Sequence, residues 1–190
     1  MNGSDEQFAP TDVLQHEHTV VLLVVDAMDR EAQAIRGGAP VRADEVTKMV
    51  AFMREFTDGC HHNKEEKVLF PTLKQVSPAA NGPVTVMLAE HEQGRQHARA
   101  VVAALPVAAA GDSVAAAAVA DNLAGYAELL RAHIDKENQV LFPFAERTLS
   151  ADDKARLAQE FERIEEEETG AGVHEKYHAL AHELAASELS

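Results

Sequence analysis

The sequence predicts an all-α protein built as an up-down-up-down four-helix bundle with two additional C-terminal helices. The 190 residues are 46% apolar and only 5% aromatic. Helix-favouring Ala, Leu and Glu are frequent, and runs of β-branched residues are few. Four long segments of helical character are separated by short stretches that contain Gly, Pro or Asn. We therefore expect a bundle over residues 11–149 and a helical extension over residues 150–190 that packs on it.

Glycine and proline set the expected limits of these helices. Proline lacks the N–H that a helix interior needs, so we expect Pro71 to interrupt the second helix, Pro106 to lie beyond the third, and Pro143 to kink the fourth. Ser150 has the sequence context of a helix N-cap. The expected helices begin and end near residues 12–36, 43–70, 81–105, 113–143, 150–168 and 174–189.

Charge and composition exclude several classes of function. The formal net charge is −15, the isoelectric point is near 5.0 and no basic stripe is present, so neither nucleic acid nor an anionic membrane is an expected partner. The longest apolar run, 20–25, is too short to cross a bilayer. A single cysteine, Cys60, excludes an internal disulfide framework. No targeting pattern is evident, so a cytoplasmic location is expected.

One sequence pattern occurs twice along the chain. A Glu-His pair is followed 43 residues later in the first copy, and 42 residues later in the second, by His-x-x-x-Glu and then by Leu-Phe-Pro. The copies are Glu17-His18 with His61, Glu65 and Leu69-Phe70-Pro71, and Glu90-His91 with His133, Glu137 and Leu141-Phe142-Pro143. This agreement indicates two similar helical hairpins that face each other about a pseudo-twofold axis.

The repeated residues are of types that bind metal ions. A His and a Glu four residues apart lie on one helical face, so both can reach the same ion. Mixed imidazole and carboxylate ligands suit iron or manganese, with zinc as an alternative. The predicted ligands of a two-metal centre are His18, His61, Glu65, His91, His133 and Glu137. Two histidines per ion and two shared glutamates leave room for an oxo or hydroxo bridge and for an external ligand.

Two histidine choices depend on periodicity and on the repeat. At 100° per residue, His61 lies about 90° from the apolar stripe of the second helix, and His62 lies nearly opposite that stripe. The repeat also selects His61, because Ile134 stands where the second copy would need a histidine equivalent to His62. The first helix is apolar nearly all round, so only the repeat selects His18 over His16.

With these motifs, the sequence resembles the hemerythrin-like family of HHE cation-binding domains over about residues 11–147. The resemblance implies a non-haem di-iron centre, with two iron ions, that reacts with O₂, NO or peroxide. The set of four His and two Glu looks most like the domain of the di-iron proteins that repair iron–sulfur clusters. Oxygen-carrying hemerythrins use five His with one Glu and one Asp, so this set departs from theirs.

These expectations lead to two functional hypotheses. The first is a di-iron protein that binds or processes O₂, peroxide or NO in oxidative or nitrosative stress, as an oxidoreductase of low turnover. The second is a non-catalytic sensor or store of oxygen or iron.

The sequence does not decide the roles of some residues outside the repeated motifs. His174 and His178 lie one turn apart in the last helix, either on a solvated face or as additional metal ligands. Cys60 is interpreted as a small buried residue, and Tyr126 either packs in the core or hydrogen-bonds near the metals.

Overall fold

The computed structural model describes residues 9–170 and 172–187, apart from the side chain of Glu168. These residues form six helices and one short 3₁₀ turn, Pro78–Ala80, and none of them forms a strand. The helices are α1 (Pro10–Arg36), α2 (43–76), α3 (Asn81–Ala109), α4 (113–148), α5 (151–169) and α6 (Val173–Ala186). The chain is therefore all-helical, as the composition indicates.

The helix ends follow local signals in the sequence. Gly111 takes a positive φ of 95°, which permits the tight turn between α3 and α4. The Asp112 side chain then caps α4 by accepting a hydrogen bond from the backbone N–H of Ala115 at 2.8 Å. The predicted cap at Ser150 is confirmed, because its hydroxyl accepts a hydrogen bond from the backbone N–H of Asp153.

The three prolines do not end their helices, so the expected breaks at Pro71 and Pro106 were wrong. Wide π-helical turns, Glu65–Leu69 and Glu137–Leu141, immediately precede the segments that carry Pro71 and Pro143. Such a turn changes the hydrogen-bond register, which accommodates a residue without an N–H. Pro106 lies in the last turns of α3, and the carbonyl it leaves unpaired belongs to Val102, which is solvent-exposed.

Polar contacts show which helix ends meet. Thr11, at the start of α1, binds Glu146 near the end of α4. Arg36, at the end of α1, binds Asp121 near the start of α4. Near the end of α1, the buried Glu31 pairs at 2.7 Å with Arg42, which directly precedes α2.

The apolar core is divided into two clusters by a belt of polar side chains. One cluster contains the later part of α1, the early part of α2, the later part of α3 and most of α4. The other contains Leu14 and the ends of α2 and α4 with the start of α3. Each of the four helices therefore contributes polar residues at the same level, between two apolar layers. No helix of the described ranges is long and apolar enough to cross a membrane.

The C-terminal helices contribute to both apolar clusters. From α5, Leu157 and Phe161 are buried in the cluster that contains Leu14. Tyr177 and Leu184 of α6 are buried in the other cluster. The sequence spacing predicts an apolar face on the last helix, formed by Val173, Tyr177, Leu180, Leu184 and Leu189. Tyr177 and Leu184 confirm it, whereas Leu189 lies outside the described residues.

Candidate metal centre

All six predicted ligands lie in the polar belt and are almost completely buried. Each of the four long helices contributes at least one of them, and none is more than 2% exposed. They are His18, His61, Glu65, His91, His133 and Glu137. The structure therefore brings together every residue that the repeat selects.

The four histidines form two close pairs. The Nε2 atoms of His18 and His61 are 3.0 Å apart, and those of His91 and His133 are 3.1 Å apart. Two imidazole nitrogens that face each other repel when both carry lone pairs, unless a proton or a cation lies between them. Each pair thus presents two nitrogen donors to a single point.

The two glutamates connect these pairs into a closed ring. The oxygens of Glu137 lie 3.2 Å from Nε2 of His18 and 3.3 Å from Nε2 of His133. Those of Glu65 lie 3.6 Å from Nε2 of His61 and 3.4 Å from Nε2 of His91. Each carboxylate therefore faces one histidine of each pair.

The carboxylate oxygens of this ring lack the partners that buried charges require. No described residue forms a hydrogen bond of acceptable geometry with either oxygen of Glu65 or of Glu137. An unpaired buried carboxylate is strongly unfavourable, and coordination to a cation is the usual compensation. Nitrogen and oxygen donors in this arrangement fit transition-metal ions.

Hydrogen bonds on the outer side of the ring orient the imidazoles. Nδ1 of His61 lies 2.8 Å from the carboxylate of Glu17, and Nδ1 of His133 lies 2.8 Å from that of Glu90. Ionised carboxylates only accept hydrogen bonds, so Nδ1 carries the proton and Nε2 presents its lone pair inward.

The other two ring histidines, His18 and His91, are each hydrogen-bonded by a residue of the opposite hairpin. Nδ1 of His91 meets Glu66 at 2.7 Å, and Nδ1 of His18 meets the side-chain oxygen of Asn138 at 2.8 Å. The residues after the two ring glutamates therefore support histidines of the opposite hairpin. The sequence did not assign these outer roles, although Glu17 and Glu90 belong to the repeated motifs.

A lysine in each hairpin extends this support outward. Lys64 binds Glu17 and Glu165, whereas Lys136 binds Glu90. The repeat carries this signal too, since both lysines directly precede the ring glutamates. Glu165 of α5 has no counterpart in the repeat, so only the folded chain reveals its contact.

The Leu-Phe-Pro motifs position aromatic rings against the ligands. Phe142 stacks on His18 with 5.4 Å between ring centres and 10° between ring planes. Phe70 stacks in the same way on His91, at 5.8 Å and 24°. Each phenylalanine thus limits the rotation of a histidine from the opposite hairpin.

The protein environment shifts the proton affinities of the ring residues. Burial would raise the pKa of Glu137, but the charge of His133 and the approach of His18 hold it well below its usual value. Burial would lower the pKa of His91, but the neighbouring carboxylates of Glu65 and Glu66 raise it to about 9. Glu137 is thus held ionised beside a proton-binding His91, and a metal ion replaces such protons when it binds.

The orientation expected for His62 was wrong. Its side chain is buried, with 4% exposure, although ideal helical periodicity directs it away from the apolar stripe. The reason is the π-helical segment Phe52–His62, whose wider turns change the angle between successive residues. As a result, His61 and His62 both face the interior.

A cavity of about 400 Å³ leads to one side of this site, between α2 and α3. His62 and His91 line it together with Tyr126 and Gly94. A Cβ atom at Gly94 would lie 3.4 Å from the Tyr126 ring, so glycine leaves room there. Tyr126 is thus buried and borders this cavity near the histidines.

The C-terminal histidines lie outside the ring. His174 Nε2 is 3.5 Å from Glu17, and His178 stacks on His16. Neither of the two groups of ring donors found in the described chain includes His174 or His178. His174 is half-buried rather than solvated, so it extends the outer support of His61 through Glu17.

Cys60 is buried, as expected. Burial raises the pKa of its thiol to about 11, which keeps it protonated. It lies near Glu17 and Glu165, whose charges Lys64 already balances.

Comparisons with known proteins agree with this architecture. Similar proteins include uncharacterized proteins of Mycobacterium tuberculosis and Mycobacterium bovis, each 26% identical over 162 residues. The aligned region covers 85% of this chain but 63% of each relative, so the chain spans less than two thirds of their length. No solved structure gives a significant match.

The match to a protein family covers most of the helical bundle. Residues 9–145 match the Hemerythrin HHE cation binding domain, and all six ring residues lie within this region. Together with the buried ring of histidines and glutamates, this match indicates metal binding. The chain belongs to the hemerythrin HHE cation-binding domain family.

Proposed function

We propose that this protein holds two iron ions in the ring and uses them to bind or process O₂, peroxide or NO. In this proposal His18 and His61 bind one ion, and His91 and His133 bind the other. Glu65 and Glu137 each give one oxygen to each ion. The observation that carries the proposal is the closed ring, in which every carboxylate faces one histidine of each pair.

The charges of the belt support cation binding within the ring. The ring contains two buried carboxylates without hydrogen-bond partners among the described residues. The outer carboxylates, in contrast, are already paired, for example Glu17 with Lys64 and Glu90 with Lys136. A bound cation therefore compensates these carboxylates, and the two separate histidine pairs offer nitrogen donors to two ions.

The donor types favour iron. Imidazole with carboxylate suits iron and manganese, whereas thiolate sites select softer metals. The buried thiol of Cys60 belongs to neither group of ring donors in the described part of the chain. Four protein donors per ion are fewer than the six that iron commonly accepts, and iron with open positions supplies redox and Lewis-acid chemistry to small molecules.

The protein residues deliver and confine the small molecule. The cavity beside His62 and His91 is large enough for a diatomic gas or peroxide. Tyr126 lines this space, and burial raises the pKa of its phenol, so the hydroxyl keeps its proton. The two apolar clusters exclude bulk water above and below the ring.

The same proposal includes the up-down-up-down bundle over residues 11–149, with residues 150–190 as an extension that packs on it. The contacts between successive helices support this topology. Residues near the end of α1 meet residues near the start of α2, and the start of α1 meets the end of α4. Buried residues of α5 and α6 in the two apolar clusters support the role of the extension.

Metal analysis of purified protein, combined with absorption spectra, tests the proposal. Protein produced with iron should contain close to two iron ions per chain and show ligand-to-metal charge-transfer bands that change on addition of peroxide or NO. One zinc ion per chain that iron cannot replace would contradict it. Steady-state peroxide consumption then separates an enzyme from a binding protein.

A further inference from the structure

His62 is a buried polar residue that is not one of the six ring residues. It lies directly beside the ring, with its imidazole stacked on that of His91 at 3.7 Å between ring centres and 13° between ring planes. One ligand atom each from His62, Glu65, His91 and His133 lie within 4.8 Å of one another. A single ion could therefore contact all four side chains.

The hydrogen bonding of His62 resembles that of the ring histidines. In each of those four, Nδ1 meets an oxygen acceptor and Nε2 faces the ring. Nδ1 of His62 also faces a carboxylate, that of Asp58, at 3.5 Å. Within the described ranges, neither nitrogen of His62 has a hydrogen-bond partner. A buried imidazole with two unsatisfied nitrogens is unfavourable, and coordination would give Nε2 a partner while Nδ1 faces Asp58.

We propose that His62 is a third histidine ligand of the ion held by His91 and His133. This inference rests on the proposed function, since it requires an ion between those residues. It also replaces the expectation from ideal periodicity that His62 has no role in metal binding.

The repeat shows that this ligand makes the two ions different. The residue equivalent to His62 in the second hairpin is Ile134, which is buried and apolar. The ion at His91 and His133 then has three imidazoles, whereas the ion at His18 and His61 has two. Because His62 and His91 line the cavity, a small molecule that enters it approaches the ion with three imidazoles.

The experiment replaces His62 with the residue that the other hairpin uses. His62→Ile is compared with wild type and with His97→Ile, which makes the same change at a half-buried histidine bound to Asn122. Each protein is loaded anaerobically with ⁵⁷Fe(II). Metal content, iron affinity by chelator competition and Mössbauer spectra are measured, and X-ray absorption counts imidazoles in wild type.

Wild type should give two distinct quadrupole doublets and five imidazoles per iron pair. His62→Ile should bind one ion at least ~10-fold more weakly, because loss of an outer hydrogen-bond partner alone already lowers metal affinity by about that factor. The two quadrupole doublets of this variant should become more alike. His97→Ile should match wild type. If His62→Ile fails to fold by circular dichroism, His62→Gln and the imidazole count of wild type decide the question.

The outcomes separate this inference from the proposed function. A wild-type protein that does not hold two iron ions overturns the proposed function, and the inference with it. A wild-type protein with two iron ions, four imidazoles per pair and unchanged affinity in His62→Ile overturns the inference alone.

Discussion

The hairpin of α1 and α2 and the hairpin of α3 and α4 contribute equivalent ring residues but differ in what surrounds them. Lys64 of the first hairpin is fully buried between Glu17 and Glu165, whereas its counterpart Lys136 is 42% exposed and binds Glu90. α5 covers the first lysine and leaves the second in contact with solvent. The duplication thus preserves the ligands, while the extension changes the environment of one half.

A second difference concerns the space beside the ring. The first hairpin places His62 at a position where the second has Ile134, and α3 has Gly94 where α1 has Val21. Val21 and Ile134 are both buried. Polar and small residues therefore open a cavity on one side of the pseudo-twofold axis, and branched apolar residues fill the other side. The cavity thus lies on one side of the pseudo-twofold axis, although the ring residues on the two sides are equivalent.

The largest expected effect tests what the two hairpins share. Glu65→Gln removes the charge of a carboxylate that faces a histidine of each pair, so both ions should be lost. Iron affinity should fall by more than the ~10- to 100-fold that outer hydrogen-bond partners contribute. Glu66→Gln, one residue away, retains an acceptor for His91 and should keep both ions. Two tightly bound iron ions in Glu65→Gln would show that the ring does not share its carboxylates.

The next largest effect contrasts the two lysines. Lys64→Met leaves two buried or half-buried carboxylates without their cation and should lower the free energy of unfolding by about 3 kcal/mol. Lys136→Met removes an ion pair whose lysine is 42% exposed and should cost less than ~1 kcal/mol. Urea denaturation at equal metal content measures both. Equal losses would mean that the cover of α5 does not distinguish the hairpins.

Making the two sides of the axis alike should have a smaller effect. Gly94→Val copies Val21 and places a side chain against Tyr126, which reduces the cavity. The reaction of the iron-loaded protein with peroxide or NO should slow about tenfold, equivalent to ~1.4 kcal/mol of barrier, with metal content unchanged. Stopped-flow absorption measures the rate. Gly82→Val, where a Cβ atom meets open space, is the control. An unchanged rate in Gly94→Val would place the route elsewhere.

The smallest effect concerns the outer acceptors. Asn138 supports His18, whereas a carboxylate supports each of the other three ring histidines. Asn138→Asp should make His18 more basic and tighten iron binding about threefold. Asn122→Asp makes the same change at a histidine outside the ring, His97, and should leave affinity unchanged. Chelator competition compares the two variants, and weaker binding in Asn138→Asp would show that the added buried charge dominates.

The ring residues were predictable because the repeat records them directly. A spacing that recurs in two helix pairs requires no knowledge of helix geometry, so it selected His18 where periodicity could not. The start of α4 at Ser113 and the cap at Ser150 were also predictable, because they depend on adjacent residues. The outer lysines carried the same repeated signal and could have been found with it.

Two of the errors, at His62 and at Pro71, share one physical cause, which is departure from ideal helix geometry. The burial of His62 and the continuation of α2 through Pro71 both accompany π-helical turns, whose positions depend on packing across the bundle. The contact between Lys64 and Glu165 joins residues 101 positions apart, so no local pattern records it. The cavity likewise depends on three helices at once, and only the folded chain defines it.

The polar belt between the two apolar clusters has a consequence for how the protein unfolds. All four long helices cross it, so bound ions join four helices at the plane where the apolar core is interrupted. Ions bound there act as cross-links that make the two clusters one cooperative unit. Their removal leaves buried charges in that plane, so the two ends of the bundle should open independently. Hydrogen exchange should then show two protection levels in metal-free protein and one in the loaded form.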